Sequence, residues 1–430
     1  MYDDRKILAN GKIDLLIIAS GTIGDVLPIA RLARRLAPEI SIAVVTNSNY
    51  LNLFPDSTEK VSMPFDSAAV IGSPPGQRMI EGGMLGTRRL IGVYGVVRPQ
   101  IRPAVETIAQ IMPRARRVLI AGIPFGSAQI AGYHDIPVAR VLYQPHWPNS
   151  EIKSLYVNSS GSWPKWANTL SHRAVDFVGR RLFRRELVRS LNVAASRRLE
   201  WPQLGARGRL LHESYYFRHK TILSLTQEFS HDSLRSANWA HFAGFIRPFT
   251  LAPTGEYCAA LRFLSSLRKP IVYCAFGSMI SRRTESIREA VIAASKTLNI
   301  ALVTQGRSAQ QRDQDVYVVP FGDHRLLFPI CSALIHHGGA GTVVASLDSG
   351  RPFTIMPQWA DQFYWADRTE ELGLSIRHNG GVTSQTAWAA TLERLLHMSE
   401  DGAHENRLRE AAGNDGLDAA LELLAEFCDT

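Results

Sequence analysis

The sequence IHHGGAGT, residues 335–342, is the stretch that decides the fold of this chain. An apolar segment typical of a strand, residues 332–335, leads into it, and a helical pattern over residues 342–347 follows it. The first N–H groups of a helix lack partners within the helix and lie at the positive end of its dipole, and glycine lets a phosphate approach the backbone closely. The stretch therefore predicts an anion-binding turn between a strand and a helix.

A second polar loop, MPQWADQ at residues 356–362, follows another apolar strand. Its side chains suit hydroxyl groups, because a carboxylate accepts hydrogen bonds and an amide both donates and accepts them. Together, the two loops indicate a diphosphate bound beside a hydroxyl-rich group.

The amino-terminal part of the chain has the pattern of a βαβ unit. Residues 13–19 are predicted as a buried strand, residues 20–25 as a turn, residues 26–37 as a helix with proline in its first turn, and residues 41–46 as the next strand. This alternation predicts a parallel sheet, and in such sheets ligands bind outside the carboxyl ends of the strands.

Alternating strands and helices begin again near residue 271, and 430 residues are too many for one compact core. We therefore predict an α/β protein with two halves. The boundaries are 1–245 for the first domain, 246–262 for a linker, 263–412 for the second domain, and 413–430 for a carboxy-terminal helix that could pack back on the first domain.

Composition excludes several function classes. Four cysteines without Cys-x-x-Cys spacing argue against a zinc site or a disulfide framework. The net charge of +9 favours anionic substrates or anionic lipid surfaces, whereas no nucleic-acid-binding motif accompanies it. No run approaches the roughly 20 apolar residues that span a bilayer. No apolar secretory segment directly follows the start, so we expect a cytoplasmic location.

Two charged stretches have structural explanations. Arginines are frequent between residues 173 and 198, where a solvated helix face is expected and a membrane or acidic-partner surface is the alternative. Asp313-Gln314-Asp315 matches the Asp-x-Asp of metal-dependent transferases by letter, yet it lies in a polar stretch before a strand and is interpreted as a surface turn. We expect no metal site.

Five stretches together carry a family resemblance. They are GTIGDVLP at 21–28, FGSM at 276–279, HHGGAGT at 336–342, PQWADQ at 357–362 and LG at 372–373. In this order and spacing, the chain resembles the UDP-glycosyltransferases of the GT-B fold, and is most similar to bacterial natural-product (antibiotic) glycosyltransferases and sterol glucosyltransferases. The resemblance implies two Rossmann-like domains that face each other across a cleft, with the acceptor bound by the first and the nucleotide sugar by the second.

The resemblance also implies a role for each matching residue. Asp25 would be the catalytic base that takes the proton of the acceptor hydroxyl. The donor diphosphate would be bound by Ser278, His337, Gly339, Gly341 and Thr342. The donor sugar would be bound by Asp361 and Gln362, and the nucleobase by Val319, Pro320 and Gln305. The weaker acceptor-binding candidates are Gly24, Met84, Tyr94, His146 and Trp147.

Structural explanations compete with some of these roles. Asp25 and Asp361 each precede a helical pattern and could cap a helix, and His337 could be a buried structural histidine. Plant relatives pair the base with an acid from a later strand, but the matching stretch here, residues 119–124, has none. The candidates to assist Asp25 are His134, Asp135 and His146, for each of which a surface or core role is the favoured alternative.

The expected function is an inverting, metal-independent transfer of a hexose from a UDP- or TDP-sugar to a hydroxyl of a hydrophobic small molecule, such as an antibiotic aglycone. No cofactor is expected beyond the nucleotide-sugar co-substrate, and the chain would be a monomer or homodimer that binds no nucleic acid. One alternative is a membrane-associated sterol or lipid glycosyltransferase, with peripheral membrane contact. Another is a non-catalytic, nucleotide-binding partner of a glycosyltransferase.

Overall fold

The structure is a computed structural model. It describes residues 11–81, 86–123, 126–145, 147–175, 177–178, 189–190, 219–235, 239–277, 279, 281–306, 308–313 and 315–429. No helix in these ranges combines the length and apolar character that a bilayer crossing requires.

The first half is built around one sheet. Its strands are β1 (Ile13–Ala19), β2 (Ile42–Thr46), β3 (Glu59–Ser62), β4 (Ala115–Ala121), β5 (Val138–Leu142), β6 (Lys220–Leu223) and β7 (Ala240–Phe242). Its helices are α1 (Ile23–Leu36), α2 (Ser67–Gly72), α3 (Pro74–Ile80), α4 (Gly86–Ile111), α5 (Ser127–Tyr133), α6 (165–175) and α7 (Asp232–Arg235). The described strands are all parallel, in the order β3-β2-β1-β4-β5-β6-β7. β1 is almost wholly buried, as expected for a parallel strand with both faces covered.

The second half repeats this plan. Its strands are β8 (Ile271–Ala275), β9 (Ala301–Gly306), β10 (Gln310–Asp313), β11 (Val316–Pro320), β12 (Ala333–His336) and β13 (Phe353–Ile355). Its helices are α8 (Gly255–Ser265), α9 (Arg282–Thr297), α10 (His324–Leu327), α11 (Ala340–Ser349), α12 (Asp361–Glu371), α13 (Gln385–Ser399), α14 (Gly402–Ala412) and α15 (Leu417–Asp429). The order is β10-β11-β9-β8-β12-β13, and of these strands β10 runs antiparallel to β11. The predicted architecture of two α/β halves with parallel sheets is confirmed.

Both sheets have a point where the strand order reverses. In the first sheet β1 lies between β2 and β4, and in the second β8 lies between β9 and β12. At such a point, the loops that follow two neighbouring strands run in opposite directions along the sheet. This leaves a crevice between the loops, where ligands bind. The loops after β1 and β4, and those after β8 and β12, are therefore the places to look for a site.

The end of the chain returns to the first half. On α15, Leu417, Ala420 and Leu424 are buried in one apolar cluster with Leu15 and Ile17 of β1. Burial of each of the two leucine side chains is worth about 1.5–3 kcal/mol, so α15 belongs to the core of the first half.

The predicted linker, 246–262, extends too far. The backbone is extended only up to Thr254, after which α8 begins at Gly255. The Thr254 hydroxyl accepts a hydrogen bond from the Tyr257 N–H at 3.2 Å and so caps the helix. Arg247, in the extended part, forms a two-pronged ion pair with Asp348 on α11, with its shortest contact at 2.6 Å.

Candidate active site

In the loop after β1, the carboxylate of Asp25 turns back toward the preceding residues of the same loop. α1 begins at Ile23, earlier than the predicted residue 26, because Thr22 is its N-cap and Asp25 its third residue. The Thr22 N–H and hydroxyl both donate to Oδ2 of Asp25, at 2.7 and 3.0 Å. None of the described residues donates to Oδ1. Asp25 therefore does contribute to the cap of α1, and it does so through only one of its two oxygens.

The surroundings of Asp25 leave little freedom. Gly21 has φ +128°, and a Cβ there would lie 2.4 Å from Oδ2, so only glycine allows this position of the carboxylate. The Tyr143 hydroxyl, just beyond β5, donates to the backbone carbonyl of Asp25 at 2.5 Å. Burial raises the pKa of Asp25, and the hydrogen bonds from Thr22 partly oppose this. A raised pKa makes the carboxylate a stronger base than a solvated aspartate.

The predicted helpers of Asp25 do not lie beside it. His134 and Asp135 follow the end of α5, which runs back from the carboxyl end of β4 to the amino end of β5. They therefore lie at the opposite edge of the sheet from Asp25, which excludes them as its helpers and leaves the surface or core role. His146, Met84 and Ser278 lie outside the described residues. The groups that do contact Asp25, Thr22 and Tyr143, were missed, although a Thr three residues before an acid is a recognisable capping pattern.

His336 has a structural role. Its side chain is fully buried, Nδ1 accepts from the Gly338 N–H at 3.1 Å, and Nε2 lies 3.1 Å from the Ser346 hydroxyl. That hydroxyl donates its own hydrogen to the carbonyl of Thr342 at 2.8 Å, so Nε2 must carry the proton that His336 donates. Burial holds the pKa of His336 well below its usual value, which keeps the ring neutral in this network.

His337 faces the other way, into the space between two glycine loops. A Cβ on Gly277 would lie 3.0 Å from its Cε1, and one on Gly339 would lie 2.8 Å from its Nε2. Burial lowers the pKa of His337 to about 4, so the ring is neutral at pH 7. Its Nδ1 is buried and finds no hydrogen-bond partner in the described part of the chain. Buried polar atoms are normally paired, so this ring is suited to a ligand oxygen.

The amino end of α11 continues the same surface. Gly339 is its N-cap, and the Thr342 and Val343 N–H groups both donate to the Gly339 carbonyl, at 2.9 and 3.0 Å. The N–H of Thr342 is therefore already hydrogen-bonded within the protein. Of the two donors of this residue, only the hydroxyl remains for the predicted contact with a diphosphate. The N–H groups of Ala340 and Gly341 donate to no described residue and lie at the positive end of the helix dipole.

The second polar loop presents one carboxylate to the same space. Asp361 is the first residue of α12, where the helix end favours negative charge. Gln362 has its Oε1 bonded to the N–H groups of Gln358, at 2.8 Å, and Trp359, at 3.0 Å. The side-chain oxygen of Gln362 is thus hydrogen-bonded within its own loop, and only the side-chain NH2 group can contact a sugar. Ala360, which directly precedes Asp361, has φ +54° and donates its N–H to the side-chain oxygen of Asn158 in the first half at 3.2 Å.

Asp361 should reduce the stability of the folded chain above neutral pH. Burial, followed by repulsion from Asp25, raises its pKa to about 7. Between the unfolded value, about 3.9, and this folded value the native state binds more protons, so stability decreases as pH rises through this window. We expect Asp361→Asn to raise Tm by about 2–4 °C at pH 8 and to leave it unchanged at pH 4. Thermal unfolding at both pH values, with the exposed Asp56→Asn as control, measures this; equal shifts at both pH values would contradict it.

The predicted nucleobase residues differ in what they can offer. Gln305 accepts from the Tyr273 hydroxyl, at 2.9 Å, and from Nε2 of His324, at 3.2 Å, which directs its NH2 group elsewhere. Val319 is 1 % exposed and its side chain packs in the core, so only its backbone is available. Pro320 ends β11 and is also buried. The following residue, Phe321, is 61 % exposed and was missed, although an exposed aromatic ring at the end of a strand suits a nucleobase.

The acceptor candidates are dispersed. Gly24 is exposed on the first turn of α1, beside Asp25, and Tyr94 is half-buried on α4. Trp147 is only 4 % exposed and packs edge-on against Trp239, with ring centroids 4.9 Å apart. Its ring belongs to the core of the protein, which leaves little of its surface for an acceptor.

The two halves bring these groups together. α1, which carries Asp25, contacts α11, which begins at the glycine loop. Trp359, in the second polar loop, packs against the apolar cluster around β4 of the first half. Asp25 and Asp361 are close enough for the charge of Asp25 to raise the pKa of Asp361. Asp25, the neutral ring of His337 and Asp361 therefore line one cleft between the domains.

The described residues contain no group of three His, Cys, Asp or Glu side chains placed to hold a metal ion. The Asp-x-Asp stretch is instead engaged at the surface. Asp313 forms an ion pair with Lys296, and Asp315 forms one with Lys269 at 2.7 Å. Asp315 has φ +66°, as expected in a tight turn between β10 and β11.

The chain is similar in sequence to several transferases. A sterol 3-beta-glucosyltransferase of Arabidopsis thaliana is 25 % identical over 391 residues, which cover 84 % of this chain and 59 % of the relative. A vancomycin aglycone glucosyltransferase of Amycolatopsis orientalis is 30 % identical over 160 residues, covering 36 % of this chain and 39 % of the relative. The matched part of the chain thus spans less than two thirds of the length of each of these relatives.

The fold is shared with solved structures. The glycotransferase of kitacinnamycin superposes with a TM-score of 0.64 at 16 % identity, covering 96 % of this chain and 99 % of the other. The glycosyltransferase VinC in complex with DTDP gives 0.59 at 16 % identity, with the same coverage of both chains. Residues 303–416 match the family described as erythromycin biosynthesis protein CIII-like, C-terminal domain. Over residues 303–416 the second half is therefore similar to this carboxy-terminal domain, and the chain as a whole has the GT-B fold of these solved glycosyltransferases.

Proposed function

We propose that this protein is an inverting glycosyltransferase that moves a hexose from a UDP- or TDP-sugar to a hydroxyl of a hydrophobic sterol or natural-product acceptor. The observation that carries the proposal is the pairing of two features across one cleft. One is a partly buried carboxylate, Asp25, with one oxygen unbonded by the described residues; the other is a neutral histidine, His337, with an unpartnered buried nitrogen. A base and an anion site on opposite sides suit a displacement in which one oxygen attacks and another departs.

The proposed reaction assigns the two ends of the displacement to the two halves. Oδ1 of Asp25 takes the proton of the acceptor hydroxyl while its oxygen attacks the anomeric carbon. The bond from that carbon to the diphosphate oxygen breaks on the opposite face, so the configuration inverts. Negative charge grows on the departing diphosphate, where the N–H groups of Ala340 and Gly341, the Thr342 hydroxyl and the His337 ring can donate hydrogen bonds. These donors provide the charge stabilisation that a metal supplies elsewhere, and they are the basis for proposing metal independence.

The sugar and the base have separate binding positions. Asp361 would accept hydrogen bonds from sugar hydroxyls, and the NH2 group of Gln362 would donate one. The NH2 group of Gln305 and the backbone of Val319 can meet the polar edge of a pyrimidine, with Phe321 against its face. Uracil and thymine share that polar edge, which is why both UDP- and TDP-sugars are proposed; one structural neighbour was solved with DTDP.

The acceptor class follows from the relatives. A sterol 3-beta-glucosyltransferase and a vancomycin aglycone glucosyltransferase are among them, and their names support a sterol or natural-product acceptor. A cytoplasmic enzyme that uses a diffusible natural product and a peripheral one that uses a lipid acceptor are both consistent with this site.

Ligand binding and turnover by the purified chain test the proposal. We expect UDP or TDP to raise Tm and GDP to leave it unchanged, because the larger purine would not fit a pyrimidine site. With the matching hexose donor and a panel of sterols and polyketide or glycopeptide aglycones, a glycoside of inverted configuration should form in the presence of EDTA. Nucleotide binding without turnover, rescued by adding an active glycosyltransferase, would identify a non-catalytic partner instead. Absence of any nucleotide-dependent shift would refute the site.

A further inference from the structure

Helix α6 has its polar side directed into the protein. Asn168 is 2 % exposed and Ser171 is 6 % exposed, whereas most such side chains lie at the surface. Both, together with His172, are hydrogen-bonded to the segment that precedes the helix. The bonds run from Asn168 Nδ2 to the carbonyls of Ser150 and Glu151 at 3.0 Å, from the Ser154 N–H to Ser171 Oγ at 2.8 Å, and between His172 Nε2 and the Ile152 carbonyl at 3.0 Å.

The apolar side of the same helix is directed outward. Trp166 is 72 % exposed and Leu170 is 55 % exposed, and Phe177, which is also helical and follows the described range of α6, is 57 % exposed. Spacings of four and seven residues place these side chains on one helix face. They are three of the most exposed large apolar side chains of the described chain. An amphipathic helix with its polar face buried and its apolar face exposed is inverted relative to the usual surface helix, and such a face marks a contact surface.

The positive charge on this helix and in the sequence that follows it indicates what kind of partner the apolar face would bind. Arg173 lies one turn beyond Leu170 and is exposed. From Arg173 to Arg198 the sequence contains eight arginines and two acidic residues, and the chain as a whole carries +9. A second copy of the chain would carry the same net positive charge, which opposes self-association. Tryptophan and leucine next to arginines are instead typical of helices that lie in the interface of an anionic bilayer.

We propose that α6 is a peripheral membrane-binding element, which inserts Trp166 and Leu170 into the interface of anionic lipid bilayers while Arg173 contacts the lipid headgroups. This surface does not depend on the proposed glycosyl transfer, because none of its residues belongs to the donor or base site.

The helix is firmly connected to the cleft. Eight residues before Trp166, Asn158 accepts the N–H of Ala360 at 3.2 Å, beside Asp361. Lys153 pairs with Asp367 of α12 at 2.8 Å, in a largely buried contact that also ties the two halves together. A membrane bound to α6 would therefore lie on the side of the cleft formed by residues 150–164, within reach of an acceptor dissolved in the bilayer.

Vesicle binding tests the proposal on the full chain. We expect it to sediment with vesicles of phosphatidylglycerol and phosphatidylcholine, less so at high salt, and only weakly with phosphatidylcholine alone. The double variant Trp166→Ser, Leu170→Ser should lose at least about tenfold in partitioning. Phe263→Ser, which removes an exposed ring on α8, is the matched control and should bind as the unchanged chain does. Circular dichroism establishes that both variants are folded.

A conservative variant makes the test independent of folding. Trp166→Phe should still sediment with anionic vesicles but lose the quenching of its fluorescence by brominated acyl chains, because the reporter at the interface has gone. Unchanged quenching in Trp166→Phe, equal binding to neutral and anionic vesicles, or unchanged binding by the double serine variant would each overturn the proposal. So would a dimer in solution that the double serine variant converts to a monomer.

Discussion

Replacing Asp25 by asparagine should reduce kcat for glycosyl transfer by about 10²–10⁴-fold. The amide oxygen of asparagine can still accept the N–H of Thr22, now 2.7 Å from Oδ2, so the start of α1 is preserved. What is lost is the ability to accept a proton from the attacking hydroxyl. The affinity for the nucleotide should not change, because the donor site is built from the other half of the chain.

Steady-state kinetics and a thermal-shift titration with UDP or TDP measure these two quantities separately. Asp56→Asn is the control for the same chemical change at an exposed position, and it should retain full activity. A variant of Asp25 that keeps more than about a tenth of the parent kcat would show that the carboxylate only caps the helix.

The variant Thr22→Val tests whether the hydrogen bond from the Thr22 hydroxyl contributes to the function of Asp25 as a base. Removing the hydroxyl bond, 3.0 Å from Oδ2, takes away one of the interactions that lower the pKa of Asp25. The acidic limb of the pH profile of kcat/KM should therefore move to higher pH, and part of the capping energy, about 0.5–2 kcal/mol, should be lost as well. A profile that falls in height without moving along the pH axis would assign Thr22 a structural role only.

Local pattern predicts the backbone of this site better than its side-chain contacts. The glycine turn at 338–341 was recognisable because its requirements are local: a strand, a residue with positive φ at Gly338 and an open helix start. The helical pattern predicts the start of α1 three residues late, at residue 26, because the capping pair of Thr22 and Asp25 begins the helix at Ile23. Once identified, that pair shows how the same aspartate can begin a helix and face a cleft.

The remaining errors concern contacts between distant parts of the chain. Trp147 follows a strand among polar residues and prolines, as a pocket residue would, yet its partner Trp239 comes much later in the sequence. The Oε1 of Gln362 is turned into its own loop, in which Ala360 adopts the positive φ usually reserved for glycine. No periodicity or propensity encodes such a conformation, because the surrounding structure imposes it.

The second large effect is expected for His337. Replacing it by alanine should reduce kcat/KM for the donor by about 10²–10³-fold and weaken UDP or TDP binding, since one hydrogen-bond donor to the departing diphosphate is removed. Gly277 and Gly339, which leave room for the ring, remain in place, and the exposed His397→Ala is the matched control.

A second set of measurements shows whether His337 acts through a hydrogen bond or through a positive charge. With a pKa of about 4 in the ligand-free chain, the ring contributes a hydrogen bond and no positive charge at pH 7. A neutral donor of similar reach, His337→Gln, should therefore recover a large part of the loss. A diphosphate beside the ring would raise its pKa, so nucleotide binding should strengthen as pH falls toward the raised value in the parent chain, and this dependence should be absent in the glutamine variant. If both variants bound nucleotide as the parent does, the buried Nδ1 would have no ligand and the anion site would have to lie elsewhere.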